Sequence, residues 1–223
     1  IKSSSRTNKV QEYYFSRKLK EIEEMRKNGA DIISLGIGGP DLPPSVDTIN
    51  TLISEAQKSH THGYQSYIGI PALRSAFAQW YTKYFHTTLN PNNEILPLLG
   101  SKEGIMHISM AFVNEGDEVL VPNPGYPTYT SVTHLVGGKI RTYDLTAEHG
   151  WLPNIEELEK TDLSKVKIMW VNYPHMPTGT KGSLKLFQEL VAFGLKHNIL
   201  ICNDNPYSFI LNNEHISILQ IPE

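Results

Sequence analysis

The stretch Ile168-Met169-Trp170-Val171-Asn172-Tyr173-Pro174 joins an apolar run to a polar turn. The pattern returns in Ile199-Leu200-Ile201-Cys202, which is followed by Asp204-Asn205-Pro206-Tyr207. Short apolar runs bounded by turn residues predict buried β-strands. Ligand sites of α/β proteins form just beyond the carboxyl ends of such strands. The carboxylate of Asp204 and the phenol of Tyr207 therefore make a first candidate site for an aromatic, charged ligand.

Strand and helix patterns alternate around that stretch, which predicts an α/β fold: an open, mostly parallel sheet with helices on both faces. The predicted strands cover 94–99, 118–121, 139–143, 167–171 and 199–202. The predicted helices cover 12–27, 47–58, 70–85, 101–113, 128–135, 155–160 and 184–196. Asn154 and Glu157 have the spacing of a capping box at the start of the helix over 155–160.

The composition is that of a soluble globular protein. The 223 residues carry a formal net charge of −3, which gives no electrostatic footprint for nucleic acid. A single cysteine excludes an internal disulfide framework and is typical of a reducing, cytoplasmic location. No apolar run approaches the roughly 18–20 residues of a membrane span, so no membrane partner is expected. The start of the chain has neither an initiator methionine nor an apolar signal core, and we expect a trimmed terminus.

Two further turns carry candidate ligand groups. Ser101 and Lys102 open a helix directly after a predicted strand, where free N–H groups and the helix dipole favour a phosphate; Ser101 is equally suited to be an ordinary N-cap. Tyr126 lies in a proline-rich turn and could lay its ring over a planar ligand or pack on its own loop. The segment 204–206 likewise has the alternative of a simple Asx turn.

Three other patterns are weaker. His60 and His62 have a spacing seen in metal sites, but no carboxylate or cysteine set accompanies them, so we expect a solvated loop and no metal. The glycines of 36–39 suggest a dinucleotide fingerprint only superficially, since no long helix follows directly. Cys202 lies within a predicted strand and is expected to be a small buried hydrophobe.

Taken in order, these motifs resemble the class I/II aminotransferases, which are fold-type I pyridoxal-phosphate enzymes. The resemblance runs from about Leu35 to the end of the chain. The segment 35–41 is similar to the substrate-side glycine loop of the family, and 64–74 is similar to its Y-x-x-x-x-G-x-x-x-L-R stretch. The family's phosphate, ring-stacking and D-x-x-Y positions match Ser101, Lys102, Tyr126, Asp204 and Tyr207.

The resemblance implies a role for each matching residue. Asp204 would hold the pyridine nitrogen of pyridoxal 5'-phosphate, Tyr207 its ring hydroxyl and Tyr126 its ring face. Ser101 and Lys102 would anchor the phosphate. Other implied contacts are Asn172 for the cofactor, Gly38 for the substrate, and Tyr64 for the phosphate of the neighbouring subunit in a homodimer.

The resemblance also implies an activity and a division into domains. The activity is transfer of an amino group between an amino acid, such as aspartate or another dicarboxylic one, and a 2-oxo acid. Residues 1–46 would form the N-terminal segment, with a small-domain part and the substrate-side loop. Residues 47–223 would form the cofactor-binding large domain, which is incomplete. A fold-type I lyase or synthase and a non-catalytic protein derived from the fold are the alternatives.

The sequence departs from the family pattern at two places. Met176 stands where the family has an asparagine that touches both the ring hydroxyl and the substrate carboxylate, and a thioether cannot donate a hydrogen bond. No lysine follows Asp204, although the Schiff-base lysine of the family lies beyond the D-x-x-Y motif. We therefore assign no catalytic residue and expect a chain truncated before that lysine and inactive alone.

Overall fold

The computed structural model describes residues 1–9, 12, 14–36, 38–39 and 41–222. They form two compact units, one made of Ile1–Val10 with Ile68–Glu223 and the other of Gln11–Tyr67. The expected boundary between residues 46 and 47 falls inside the second unit, and the assignment of domains in 1–46 and 47–223 stays a prediction.

The larger unit contains a four-stranded parallel sheet, which confirms the predicted fold class. Its strands are β1 (Glu118–Asn123), β2 (Lys139–Asp144), β3 (Val166–Val171) and β4 (Leu200–Asn203). Their order in the sheet is β2-β1-β3-β4, and every neighbouring pair is parallel. The chain thus adds β2 on one side of β1 and then crosses back to add β3 and β4 on the other side.

The α-helices agree with the predicted ones to within a few residues at each end. They are α1 (Tyr14–Lys27), α2 (Val46–Ala56), α3 (Pro71–Phe85), α4 (Ser101–Phe112), α5 (Pro127–Val136), α6 (Ile155–Glu159) and α7 (Leu184–His197). Short 3₁₀ turns cover Ser5–Lys9, Ser59–Thr61 and Ile218–Gln220. Within the described ranges, no helix is long and apolar enough to cross a membrane.

The two faces of the sheet carry separate apolar cores, because successive strand residues point to opposite faces. On one face, Leu120 and Met169 pack with the α7 residue Phe187. On the other face, Val119 and Trp170 pack among residues from α4 and α5. Helices therefore cover both faces, as the alternating sequence pattern predicts.

The predicted strand over 94–99 is wrong, since the structure assigns no strand there. A strand needs a ladder partner, and the backbone groups at both ends of this segment are used locally instead. The Glu94 N–H donates to the Asn90 carbonyl at 3.0 Å. At the other end, the Leu99 N–H donates to the Glu103 carboxylate at 2.6 Å. The segment is a connection without regular secondary structure that leads into α4.

The capping box at α6 is half formed. The Asn154 Oδ1 accepts a hydrogen bond from the Glu157 N–H at 3.1 Å, as an N-cap residue should. The Glu157 carboxylate, however, accepts from the Lys160 ammonium at 2.5 Å. The ion pair takes the group that would otherwise return to the Asn154 backbone.

Candidate functional site

The candidate site lies at the carboxyl edge of the sheet, where β1 and β3 run side by side. The chain leaves these neighbouring strands toward opposite sides of the sheet, since β2 lies beside β1 and β4 beside β3. Such a switch point opens a crevice between the two connections, and α/β proteins bind ligands there. The residues that follow β1, β3 and β4 are therefore placed at one ligand-binding edge.

Asp204 is the central group of this edge. Its backbone N–H donates to the Val171 carbonyl at 2.9 Å, which fixes the residue directly beyond the β3–β4 ladder. Its carboxylate Oδ2 accepts a hydrogen bond from the Tyr129 hydroxyl at 2.9 Å. Burial raises the pKa of the Asp204 carboxyl above its usual range, and the bond from Tyr129 opposes that rise.

A ladder of aromatic rings connects Asp204 with the start of α4. The Tyr129 ring stacks on Trp170, with ring centroids 5.2 Å apart and an interplanar angle of 3°. Tyr126 meets Tyr129 edge to face at 5.7 Å. The ammonium of Lys102 lies 5.8 Å from the centroid of the Tyr126 ring. The structure therefore brings Lys102, Tyr126 and Asp204 into one chain of contacts.

The turn before α4 has the backbone conformation of a helix start with no side-chain cap. Gly100 is the N-cap residue, has a φ of 99° and makes no side-chain capping bond. A positive φ of this size favours glycine, because other residues are strained there. Ser101 and Lys102 follow as exposed residues of the first turn. Their phosphate-binding role stays a prediction.

Asn172 is engaged by the backbone on both sides of its amide. Its Nδ2 donates to the Asp204 carbonyl at 2.6 Å, and its Oδ1 accepts from the Met176 N–H at 2.9 Å. The side chain is buried. Asn172 thus ties the turn after β3 to the turn after β4, and its predicted contact with the cofactor is untested.

The remaining predicted residues are Tyr207, Gly38 and Tyr64. Tyr207 lies three positions after Asp204, and 38% of its surface is exposed. Gly38 and Tyr64 belong to the smaller unit, and both are exposed. Ile37 and Pro40 of the predicted substrate-side loop lie outside the described residues. The roles assigned to these residues remain predictions.

Two buried residues of this edge, Tyr129 and His175, were not predicted from the sequence. Tyr129 follows Tyr126 by three positions, a helical spacing that could have placed both rings on one face. His175 is buried, and its Nδ1 lies 2.8 Å from the Thr178 hydroxyl. Burial lowers the pKa of His175, and a smaller effect of the Pro124 backbone opposes this. No local pattern signals that a histidine in a proline-rich turn is buried.

The structure shows the surroundings of the residues in the weaker patterns. His62 Nε2 lies 2.8 Å from the Ala56 carbonyl, which makes it part of the turn after α2. In the described part of the chain, no three His, Cys, Asp or Glu side chains are grouped so that they could hold a metal ion. Burial raises the pKa of the Cys202 thiol to about 12, and the residue packs against the core shared by α4 and α5.

The donor set of the edge fits a phosphorylated pyridine. A cationic ring nitrogen needs an anionic acceptor, and Asp204 is a partly buried carboxyl group. Among the described residues, its Oδ2 accepts a bond from Tyr129, and no bond to its Oδ1 is found. A flat ring needs an aromatic face, which Tyr126 supplies. A phosphate needs N–H groups at a helix start, which α4 supplies.

Comparison with known proteins gives the same family as the motifs. The model of "Aminotransferase class I and II" matches residues 30–220. The chain is 43% identical over 210 residues to an LL-diaminopimelate aminotransferase of Dehalococcoides mccartyi, covering 94% of this chain and 54% of the relative. It is 41% identical to the corresponding enzyme of Moorella thermoacetica, covering 100% of this chain and 57% of the relative. The chain thus spans about half the length of the curated relatives it matches.

Solved structures match the fold closely. Apo-BacF from Bacillus subtilis superposes with a TM-score of 0.92 at 33% identity, covering 99% of this chain and 56% of that one. The alanine aminotransferase of Pyrococcus furiosus gives 0.91 at 26% identity, covering 100% and 57%. The fold and the donor set of the edge agree with these matches. The chain belongs to the class I and II aminotransferases, a family of pyridoxal-phosphate enzymes.

Proposed function

We propose that the protein moves an amino group between an amino acid and a 2-oxo acid with pyridoxal 5'-phosphate as cofactor. The observation that carries the proposal is the Asp204 carboxylate. It stands at the carboxyl edge of a parallel sheet, partly buried and connected through Tyr129 to the ring of Tyr126. A partly buried carboxylate in such a cleft is typical of a functional site. Asp204 has no ion-pair partner among the described residues.

The residues of the edge would hold and tune the cofactor. The cofactor, when bound, supplies an electron sink for the α-carbon of an amino acid. Asp204 would keep the ring nitrogen protonated by placing a negative charge beside it. Tyr126 would hold the ring flat, and the amides of Ser101 and Lys102 would bind the phosphate at the start of α4. Tyr207 would bind the ring hydroxyl.

We propose LL-diaminopimelate as the amino donor. Relatives at 43% and 41% identity bear the name LL-diaminopimelate aminotransferase. This donor is a dicarboxylic amino acid, the class that the family resemblance implies. Met176 replaces the amide of the family, so either Tyr207 and other groups take over its contacts or the substrate is anchored differently.

None of the 223 residues is assigned as the amine that bonds to the cofactor. Transamination needs a lysine as nucleophile and proton carrier, and no lysine follows Asp204 in the 223 residues. The proposal therefore applies to the full-length protein, whose relatives are nearly twice as long as this chain.

The test is spectroscopic. Full-length protein incubated with pyridoxal 5'-phosphate should develop a visible band that borohydride abolishes, and LL-diaminopimelate should bleach this band faster than aspartate or alanine does. Absence of the band would refute the proposal. Elimination products in place of a 2-oxo acid would show a lyase of the same fold, and a stronger response to aspartate would refute the proposed donor.

A further inference from the structure

Tyr129 is a buried phenol that none of the roles above uses. Only 1% of its surface is exposed. Its ring is fixed from two directions, by the parallel stack on Trp170 and by the edge of Tyr126. Its hydroxyl donates to the Asp204 Oδ2 at 2.9 Å. A rigid ring of this kind has essentially one position in which to present its donor.

The bond has a chemical effect on the carboxylate. Burial by itself favours the neutral carboxyl, whereas a donated hydrogen bond favours the carboxylate. Burial and the neighbouring carboxylate also raise the pKa of Tyr129 far above its usual range, so the phenol stays protonated and remains a donor. Because the phenol always donates, its hydrogen bond favours the ionised form of Asp204.

We propose that Tyr129 is a positioning residue for the cofactor: it fixes the Asp204 carboxylate through Oδ2 and leaves Oδ1 for the protonated ring nitrogen. This inference rests on the proposed function. It also explains why Tyr126 and Tyr129 occur three positions apart at the start of α5. One ring would cover the face of the cofactor while the other orients the group that binds the edge of the same cofactor.

Tyr143 provides a matched control. It is also a buried tyrosine of the larger unit, with 6% of its surface exposed, and it lies on β2. Its hydroxyl donates to the Trp170 carbonyl at 2.7 Å and makes no bond to Asp204. Tyr143→Phe therefore removes a buried phenol bond of similar geometry without touching the carboxylate.

The experiment measures cofactor dissociation from full-length protein, with the pH profile of the bound-cofactor absorbance as second readout. Tyr129→Phe should weaken binding by roughly tenfold or more, as expected for a bond to a charged group. It should also narrow the pH range in which the cofactor keeps its protonated-ring absorbance. Tyr143→Phe should change neither. In an Asp204→Ala background, Tyr129→Phe should cost nothing further, because the two residues act as a pair.

Tyr129→His covers the case in which the phenylalanine variant does not fold, since imidazole can also donate an N–H. It should retain cofactor within a few-fold of the wild type, and a loss as large as that of Asp204→Ala would overturn the inference. Equal effects of Tyr129→Phe and Tyr143→Phe, or an undiminished effect in the Asp204→Ala background, would overturn it as well. Wild-type protein that binds no cofactor would instead refute the proposed function and remove the basis of the inference.

Discussion

Three neighbouring residues determine the position of Asp204 and the orientation of its carboxyl group. The Val171 carbonyl and the Asn172 amide hold its backbone, and the Tyr129 hydroxyl holds its carboxylate. Burial makes the charged form of Asp204 less favourable than in water and so raises its pKa. The hydrogen bond from the Tyr129 phenol stabilises the charged form and lowers the pKa again by a smaller amount. The outcome is a carboxyl whose pKa lies above its usual range but whose orientation is fixed.

A raised pKa makes folding stability depend on pH. In the folded state Asp204 binds its proton more tightly than in the unfolded chain. The contribution of Asp204 to the free energy of unfolding is thus fully present below the ordinary pKa of 3.8. It is lost as pH rises through the higher pKa of the folded state. We expect that Asp204→Asn removes this pH-dependent contribution to stability. Thermal unfolding of the apo full-length protein at closely spaced pH values from about 3.5 upward measures it.

Replacement of the exposed Asp41 by asparagine serves as the control for deleting a surface carboxyl. The interpretation fails if the difference in unfolding temperature between wild type and Asp204→Asn is independent of pH over this range. It also fails if stability rises with pH only in the wild type, because that sign requires a lowered pKa.

At the scale of elements, the packing of α7 on the sheet depends on a glycine, which has no side chain. Gly194 lies inside α7 and is buried against the segment that enters β4. A Cβ atom at this position would come within 2.8 Å of the Ile199 carbonyl oxygen and within 2.8 Å of the Ile201 Cγ1. The first of these is a backbone atom, which cannot move without shifting the start of β4.

Gly194→Ala tests whether this contact outweighs helix propensity. Alanine should favour an exposed helix by about 1 kcal/mol relative to glycine. We expect instead that the variant destabilises the protein by roughly 1–3 kcal/mol, because overpacking forces the helix away from the sheet. Denaturant unfolding of full-length protein measures the change.

Ala192→Gly is the matched control, since Ala192 lies in the same helix and is exposed. It should destabilise the protein by about 1 kcal/mol through propensity alone. If Gly194→Ala stabilises the protein while Ala192→Gly destabilises it, propensity governs both positions and the contact with Ile199 is unimportant.

At the scale of the whole molecule, the family resemblance predicts a site that two subunits of a homodimer share. Asp204 belongs to the larger unit and Tyr64 to the smaller one. Tyr64 is 99% exposed, which leaves its side chain accessible to a second copy of the chain. The family resemblance implies that it reaches the cofactor phosphate of the neighbouring subunit in a homodimer.

Hybrid dimers test this arrangement. Tyr64→Phe and Asp204→Asn subunits should each give weakly active homodimers of the full-length protein. If Tyr64 acts across the interface, a mixed dimer contains one site with both residues intact, and mixing should restore up to about half of the wild-type activity per heterodimer. If Tyr64 acts within its own subunit, both sites of the mixed dimer remain damaged and no activity returns.

The measurement is transaminase activity after co-refolding or co-expression of the two variants with different affinity tags. Heterodimers are isolated by sequential purification on both tags. Homodimers of each variant taken through the same procedure set the baseline. A mixed preparation no more active than this baseline would contradict the arrangement across the interface.

Local patterns explain why most elements are predictable. The apolar runs around Val119, Ile168 and Ile201 signal strands because a parallel strand buried on both faces must be apolar on both. The spacing of apolar residues signals α7 in the same way. The segment 94–99 also has an apolar run, yet it forms no strand, because a strand exists only with a ladder partner and a single segment does not reveal its partner.

The sequence by itself determined the fold class, which depends on periodicity, and the family, which depends on motifs of neighbouring residues. It also predicted Asp204, Tyr126 and Lys102 as site residues. Only the tertiary structure decided the burial of His175 and the bond from Tyr129 to Asp204. Those features join residues distant along the chain. Their geometry arises when parallel strands bring their carboxyl ends to one edge and the stacked rings of Tyr129 and Trp170 fix the donor in place.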